Sequence, residues 1–409
     1  MWMRPSVRVG QPTPRLCILV SVVHLEVFVS TLAAPPTSTA DVVRQPAEIR
    51  CAAELAALRA ADRGPRPQGW LLSPKAVETF VLGSREPLRD ARGAAIQITP
   101  KFVGDRRLVQ VAIATLASDR ALMLAGEPGT AKSWLSEHLA AAISGTSLLV
   151  VQGTAGTTEE QVKYSWNYAL LIAEGPSRRA LVESPVLRGM QQGQLVRLEE
   201  LTRCAAEVQD ALISVLSEKQ VAIPELDEVV PARRGFSVIA TANTRDRGVN
   251  DMSSALKRRF NFVTIPVVAD LEQEAAIVER RSTELLADLG VPAQVPRDLV
   301  KLLATVFSEL RRGQTVDGKA KVKSPSTVLS TAELISVVAD GALIGSFFGQ
   351  GGQGQPTVHD CFSALVGTVA KENQADLAVL QEYLETVAKG RSERLWRELY
   401  RAGQDVLGG

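Results

Sequence analysis

The pattern of apolar and polar positions changes character along the chain. Residues 47–61 are rich in Ala, Leu, Glu and Arg and predict a helix that stops near Gly64-Pro65. A second short helix is predicted after Ser73-Pro74, with serine as the cap and proline at the first helical position. From about residue 101, short apolar runs alternate with amphipathic stretches, the pattern of a parallel sheet covered on both faces. Runs 121–125, 148–151, 194–198 and 236–241 read as buried strands, and 262–266 closes the sheet. Beyond Asp270 the strands cease. Leu299, Leu302, Leu303, Val306, Phe307 and Leu310 then recur at helical spacing up to Gly313. Segments 318–323 and 349–355 interrupt this helical part as loops. The expected fold class is α/β: a parallel-sheet core followed by an all-helical domain.

Composition adds little to that picture. The 409 residues carry 45% hydrophobic and 22% charged side chains, an ordinary globular balance. The 46 basic and 45 acidic residues nearly cancel, so composition gives no nucleic-acid or membrane footprint. Cys17, Cys51, Cys204 and Cys361 are scattered, as are His24, His138 and His359, so neither a disulfide framework nor a local metal motif is predicted. At the N-terminus, Arg4, Arg8 and Arg15 precede the apolar run Leu16 to Val23, and Thr31-Leu32-Ala33 resembles a cleavage site. His24 and Glu26 interrupt the run, which argues against a secretory signal and more strongly against a membrane span. Residues 1–36 are therefore expected to lie outside the working fold, as an artefact of the start assignment or a non-functional segment.

Chemistry enters where the first predicted strand runs into Gly126-Glu127-Pro128-Gly129-Thr130-Ala131-Lys132-Ser133, followed by a helix bearing Leu135, Leu139 and Ile143 on one face. Strand, glycine-bearing loop, Lys-Ser and helix make a P-loop, in which successive backbone N–H groups cradle phosphates. Lys132 is expected to reach the β- and γ-phosphates and the Ser133 hydroxyl to ligate Mg²⁺. Ala131 stands where the general pattern has glycine, and is tolerated there if its backbone angles are helical. About 65 residues on, the strand Leu195-Val196-Arg197-Leu198 ends in Glu199-Glu200, a Walker B arrangement. Glu199 is expected to hold Mg²⁺ through a water, and Glu200 to polarise the attacking water. Glu199 is a longer substitute for the usual aspartate. The strand Phe236 to Ala242 ends on Asn243, placed to hydrogen-bond that water or the γ-phosphate. Lys257-Arg258-Arg259 closes a short helix, where cations complement the helix dipole. The sharper reading makes Arg259 an arginine finger acting on a neighbouring subunit.

This order of motifs resembles the AAA+ ATPases, and within them the MoxR family, over residues 102–267 with a weaker echo in the helical part. The P-loop with Pro128 and Ala131 is close to that family's form, as is the run Val208 to Ile223, where the family has a helix and a pre-sensor hairpin. Ala240-Thr241-Ala242-Asn243 matches its sensor 1, Arg259-Phe260 its finger, and Val103-Gly104 the box that contacts adenine. The resemblance divides the chain into an N-terminal extension (1–36), a helical extension (37–100), a P-loop NTPase domain of AAA+ type (101–268) and a helical lid (269–409). Segments 169–174 and 180–183 are expected to form a hairpin, followed by a helix from Pro185, resembling the family's helix-2 insert. Ser324-Pro325-Ser326 stands where the family has Ser-Pro-Arg at a helix start, so the sensor 2 arginine is absent, with Lys321 or Lys323 the substitutes at hand.

What the resemblance implies is an ATP- and Mg²⁺-dependent hexameric ring that remodels or matures a protein client, chaperone-like, in the cytoplasm where ATP is supplied. Its implied partners are copies of itself, the client and a von Willebrand factor A domain protein, with no nucleic acid or membrane. A nucleotide-dependent binding switch or scaffold with little turnover is the alternative, motivated by Glu199 and the missing arginine. A nucleic-acid motor is a third reading; Arg233-Arg234 and Lys257 to Arg259 are its local basic clusters.

Overall fold

The computed structural model describes residues 42–118, 120–244, 250–291, 293–349, 355–371 and 373–408. The expectation for residues 1–36, and most of that for the 349–355 loop, therefore lies outside the described residues. Five short, largely apolar runs pair into one parallel sheet: β1 (Ala121–Gly126), β2 (Val150–Gln152), β3 (Leu195–Glu199), β4 (Ser237–Asn243) and β5 (Phe260–Ile265). The spatial order is β5-β1-β4-β3-β2. The interior strand β1 is buried along its whole length, as a strand covered on both faces must be. Register sets the functional edge. Gly126 lies opposite both Asn243 and Ile265, and Gln152 lies opposite Glu199, so the strands' carboxyl ends share one rim. In open α/β sheets that rim is where ligands bind.

Helix α1 (Lys132–Ser144) follows β1 and buries Leu135, Leu139 and Ile143 before stopping at Gly145, φ 74°. Preceding helices Ala52–Ala61 and Pro74–Leu82 pack on the same side, where Leu55, Leu58, Val77 and Phe80 share a core with α1, Leu122 and Leu124. Ser73 caps the second of them by accepting from Ala76 N at 3.2 Å, with Pro74 in the first turn as predicted. The opposite face is covered by Pro185–Gln192 and by α2 (Ala206–Glu218), which leads into the antiparallel hairpin Gln220–Ile223/Glu228–Pro231.

The C-terminal bundle comprises α3 (Leu271–Asp288), α4 (Arg297–Arg312), α5 (Thr331–Phe348), α6 (Val358–Val369), α7 (Asp376–Thr386) and α8 (Arg394–Leu407) around Phe307, Phe362 and Leu380. Its most deeply buried acid, Glu309, is satisfied by Tyr383 Oη (2.6 Å), Arg391 Nη2 (2.6 Å) and Val316 N (2.8 Å). Among the described residues α5 alone is long and apolar enough to cross a membrane, and it packs against α3, α4 and α6 in this bundle.

Two local expectations are corrected. In the insert, residues 169–174 are not a strand. They belong to the helix Tyr168–Glu174, and strand Leu181–Glu183 pairs instead with Tyr164–Trp166. Asn167 caps that helix by accepting from Leu170 N, and Gly175 at φ 75° ends it, so a run of Ala and Leu follows its helical propensity. In the lid, no helix starts at Ser324-Pro325. α5 starts at Thr331, under a capping box in which Ser330 and Glu333 satisfy each other's backbone N–H groups. Ser326 turns inward instead, its N–H and hydroxyl bound to Asp376 at 3.0 and 2.6 Å.

A candidate nucleotide-binding site

The loop between β1 and α1 is shaped by close approaches. A Cβ on Gly126 would lie 2.6 Å from the Ile265 carbonyl of β5, so only glycine lets the strands end side by side. Gly129 has φ +73°, and a Cβ there would lie 2.3 Å from Ser330 Cβ at the head of α5. Ala131 corrects an expectation. Its backbone is left-handed, φ 63° and ψ 24°, not right-handed helical, so a methyl occupies a conformation that favours glycine. Thr130 Oγ1 donates to the Glu127 carbonyl (2.9 Å). Lys132 is buried and folds back, Nζ donating to the carbonyls of Glu127 (2.7 Å) and Gly126 (3.2 Å). Burial pushes its pKa down, against the raising pull of Glu200, Glu199 and Glu127.

At the end of β3 the two acids part. Glu199 is 4% exposed and points toward α1. Its Oε2 accepts from Ser133 Oγ (2.6 Å) and Thr241 Oγ1 (2.8 Å), and its Oε1 from Ser136 Oγ (2.6 Å) and Arg197 Nη2 (2.8 Å). Glu200 has φ 53°, a strained turn for a non-glycine residue, and its carboxylate meets Arg203 Nε at 2.5 Å. Thr241 on β4 fixes both acids, donating to Glu199 and accepting from Glu200 N (2.9 Å).

These elements enclose a cavity of about 690 Å³. Val103, Gly104, every residue from Glu127 to Ser133, Glu200 and Asn243 line it. Gly126 and Glu199 sit immediately behind, touching it through Lys132 and Ser133. Arg259 is the predicted site residue set apart. Its Nε donates to Ser217 Oγ (2.8 Å) and its Nη1 to the Ala255 carbonyl (2.9 Å), and the next residue, Phe260, pairs with Ala121 at the opposite end of the sheet. At about 3.3 Å per strand residue, Arg259 is roughly 20 Å from its own P-loop.

Neither Lys321, Lys323 nor Ser326 lines the cavity, and Lys323 pairs with Glu382 at 2.5 Å. The lid presents Arg280, Arg281 and Arg311 instead, which the sequence reading missed. Arg311 is held bidentate by buried Glu274 (2.9 and 3.1 Å), and Thr331 Oγ1 donates to the same carboxylate (2.6 Å). Arg280 donates to the Pro100 carbonyl (2.7 Å). Arg281 stacks 4.0 Å from the ring centre of Trp134, whose ring also carries Arg50 at 4.6 Å. The adjacent Glu279-Arg280-Arg281 in a predicted helix, and a tryptophan directly after Lys-Ser, were the available signals. For a divalent cation, the donor set is the Ser133 hydroxyl and one Glu199 oxygen. Both are hard oxygens at a helix N-terminus, which suits Mg²⁺ completed by phosphate oxygens and water.

Comparison with known proteins places the chain. Residues 121–260 match the AAA domain of the dynein-related subfamily, and residues 272–407 match the YehL-like AAA+ ATPase C-terminal domain. YehL of Escherichia coli (strain K12) is 44% identical over 362 residues, covering 88% of this chain and 96% of YehL. A Staphylococcus haemolyticus protein is 24% identical over 219 residues, 53% of this chain and 78% of its own length. Among solved structures, NtrX from Brucella abortus gives a TM-score of 0.44 at 15% identity, covering 75% of this chain and 64% of that one. NtrX in complex with ATP gives 0.42 at 14% identity, covering 75% and 69%. With both domains matched in order, and nearly the whole of YehL covered at that identity, the chain belongs to the YehL-like AAA+ ATPases.

Proposed function

We propose that this chain binds and hydrolyses ATP in the cavity between sheet and lid, and that turnover in a ring of copies remodels or matures a protein client, as in the MoxR proteins. The observation that carries this reading is convergence: P-loop, both Walker B acids and Asn243 meet at one rim of the sheet, under a lid that touches Gly129.

The roles follow from placement. Backbone N–H groups from Glu127 to Ser133 cradle the phosphates, and Val103-Gly104 borders the base. Lys132, already partly desolvated, exchanges two loop carbonyls for phosphate oxygens, a stronger charge-assisted partner. Ser133 and Glu199 hold Mg²⁺, which when bound neutralises charge on the β- and γ-phosphates. Glu200 orients the attacking water and Asn243 steadies it. Arg259 reaches the γ-phosphate of the adjacent subunit, which makes the ring, a hexamer by resemblance, part of the active site. The compartment is the cytoplasm, where ATP is available, and the partners are the client and a von Willebrand factor A domain protein rather than nucleic acid or membrane.

ATP turnover measured for wild type, Lys132→Ala, Glu200→Gln and Arg259→Ala tests the assignment. Each variant is expected to fall at least about 100-fold, the scale for removing a group that stabilises transferred charge. Equal activity in all four would remove the site. A second reading, a nucleotide-dependent switch with little turnover, is favoured by the Arg203–Glu200 pair and by Arg311 being committed to Glu274. ATP binding with negligible hydrolysis, even with partner added, would select it.

A further inference from the structure

Arg197 is a cation that no motif accounts for. It lies on β3 two residues before Glu199, so strand alternation puts both side chains on one face. Nη2 donates to Glu199 Oε1 (2.8 Å) and the Ser133 carbonyl (3.2 Å), Nε to Ser136 Oγ (3.0 Å) and Nη1 to the Ser147 carbonyl (3.1 Å). The two side chains are 11% and 5% exposed, so water weakens the pair little. The effect is a division of labour between the oxygens of Glu199. Oε1 is tied back by Arg197 and Ser136, while Oε2 faces Ser133 and Thr241. An aspartate at 199 would end one C–C bond, about 1.5 Å, short of that arrangement. The long acid and the arginine behind it therefore explain each other.

We propose that Arg197, with Ser136, is a positioning residue for the metal–nucleotide complex: it fixes Glu199 so that a single oxygen, Oε2, is presented beside Ser133. The proposal rests on the nucleotide-site reading above, and it assigns a cause to the glutamate at the Walker B position. Arg197 also ties α1 to the Ser147 loop, so lost stability alone would not test it.

The measurement is the gain in affinity for N-methylanthraniloyl-ATP, followed by fluorescence on full-length protein, as Mg²⁺ is titrated from an EDTA baseline. Wild type is expected to gain; no binding, or no gain with Mg²⁺, would overturn the nucleotide-site reading itself. Given that gain, Arg197→Met is expected to raise the half-saturating Mg²⁺ concentration by about tenfold or more, the scale for groups that orient a metal ligand. Ser136→Ala, which removes only a hydroxyl, is expected to move it in the same direction by a smaller factor. Arg197→Lys keeps the charge without the fork and should fall between Arg197→Met and wild type. Unchanged half-saturation in Arg197→Met and Ser136→Ala, with a lowered melting temperature, would make Arg197 a brace and overturn the proposal. Should Arg197→Met fail to fold, Ser136→Ala and Arg197→Lys decide alone, and no shift in either overturns it.

Discussion

Ala131 sits in a left-handed conformation directly before Lys132, where a side chain costs about 1–2 kcal/mol. Ala131→Gly relieves that cost but frees the unfolded chain, which offsets about 0.4–1 kcal/mol. Urea denaturation should therefore show the variant more stable by about 0 to 1.6 kcal/mol, with nucleotide affinity retained. A clear loss of stability would contradict the left-handed turn. His138 is the other informative residue, packed in α1 against Trp134 at 4.4 Å and Phe80 at 5.9 Å, with Nδ1 2.7 Å from the Trp134 carbonyl. Burial pulls its pKa down to about 4. In the unfolded chain it lies near 6.5, so the unfolded state takes up the proton first as pH falls. The contribution of the neutral ring is thus complete above about pH 6.5 and is lost between there and about pH 4, a change on the order of 3 kcal/mol. His138→Leu should flatten the slope of stability against pH across that window. Matching slopes in variant and wild type would remove His138 as its source.

Between elements, the decisive contact is that of the P-loop with the head of α5. Gly129→Ala would place a methyl 2.3 Å from Ser330 Cβ as well as straining a φ of +73°, and is expected to weaken nucleotide binding and to destabilise by about 1–3 kcal/mol. Ser330→Gly costs only a few tenths of a kcal/mol as a cap change. Combined with Gly129→Ala it should restore part of the lost affinity, because it deletes the group in the way. No restoration, by isothermal titration with ATP, would put the defect in the loop and not in lid docking. This contact also marks where sequence reasoning runs out. The strands were legible because buried parallel strands read as unbroken apolar runs. Glu199, Glu200 and Asn243 were legible because each ends such a run. β2 starts at Val150 and not at Leu148, whose side chain is 66% exposed; an apolar residue in a loop looks like strand in sequence. The start of α5 was written in Ser330-x-x-Glu333, but the family pattern pointed to Ser324-Pro325. Arg280, Arg281 and Arg311 reach the cavity only because the lid folds back on the core, a long-range fact that local periodicity does not carry.

For the whole molecule, the question is whether one chain holds a complete site. It does not if Arg259 is catalytic, because the strand β5 separates it from its own P-loop by roughly 20 Å. Its bonds to Ser217 and Ala255 hold it at the far end of the sheet, beside the exit of α2. In the proposed head-to-tail ring that end of one copy would meet the nucleotide cavity of the next, and such an interface is heterologous, so every site would draw on two subunits. Mixing variants tests this directly. Lys132→Ala and Arg259→Ala should each be inactive alone, the first lacking the phosphate lysine and the second the finger. Co-assembled in equal amounts, they should recover about a quarter of wild-type turnover, since a random ring places an intact P-loop beside an intact Arg259 at one interface in four. Recovery should vanish when the double variant is mixed with either single variant, because such a mixture lacks either every intact P-loop lysine or every intact Arg259. A mixture as inactive as its parents, with ring assembly confirmed by light scattering, would confine Arg259 to bracing α2 and make each subunit's site self-contained.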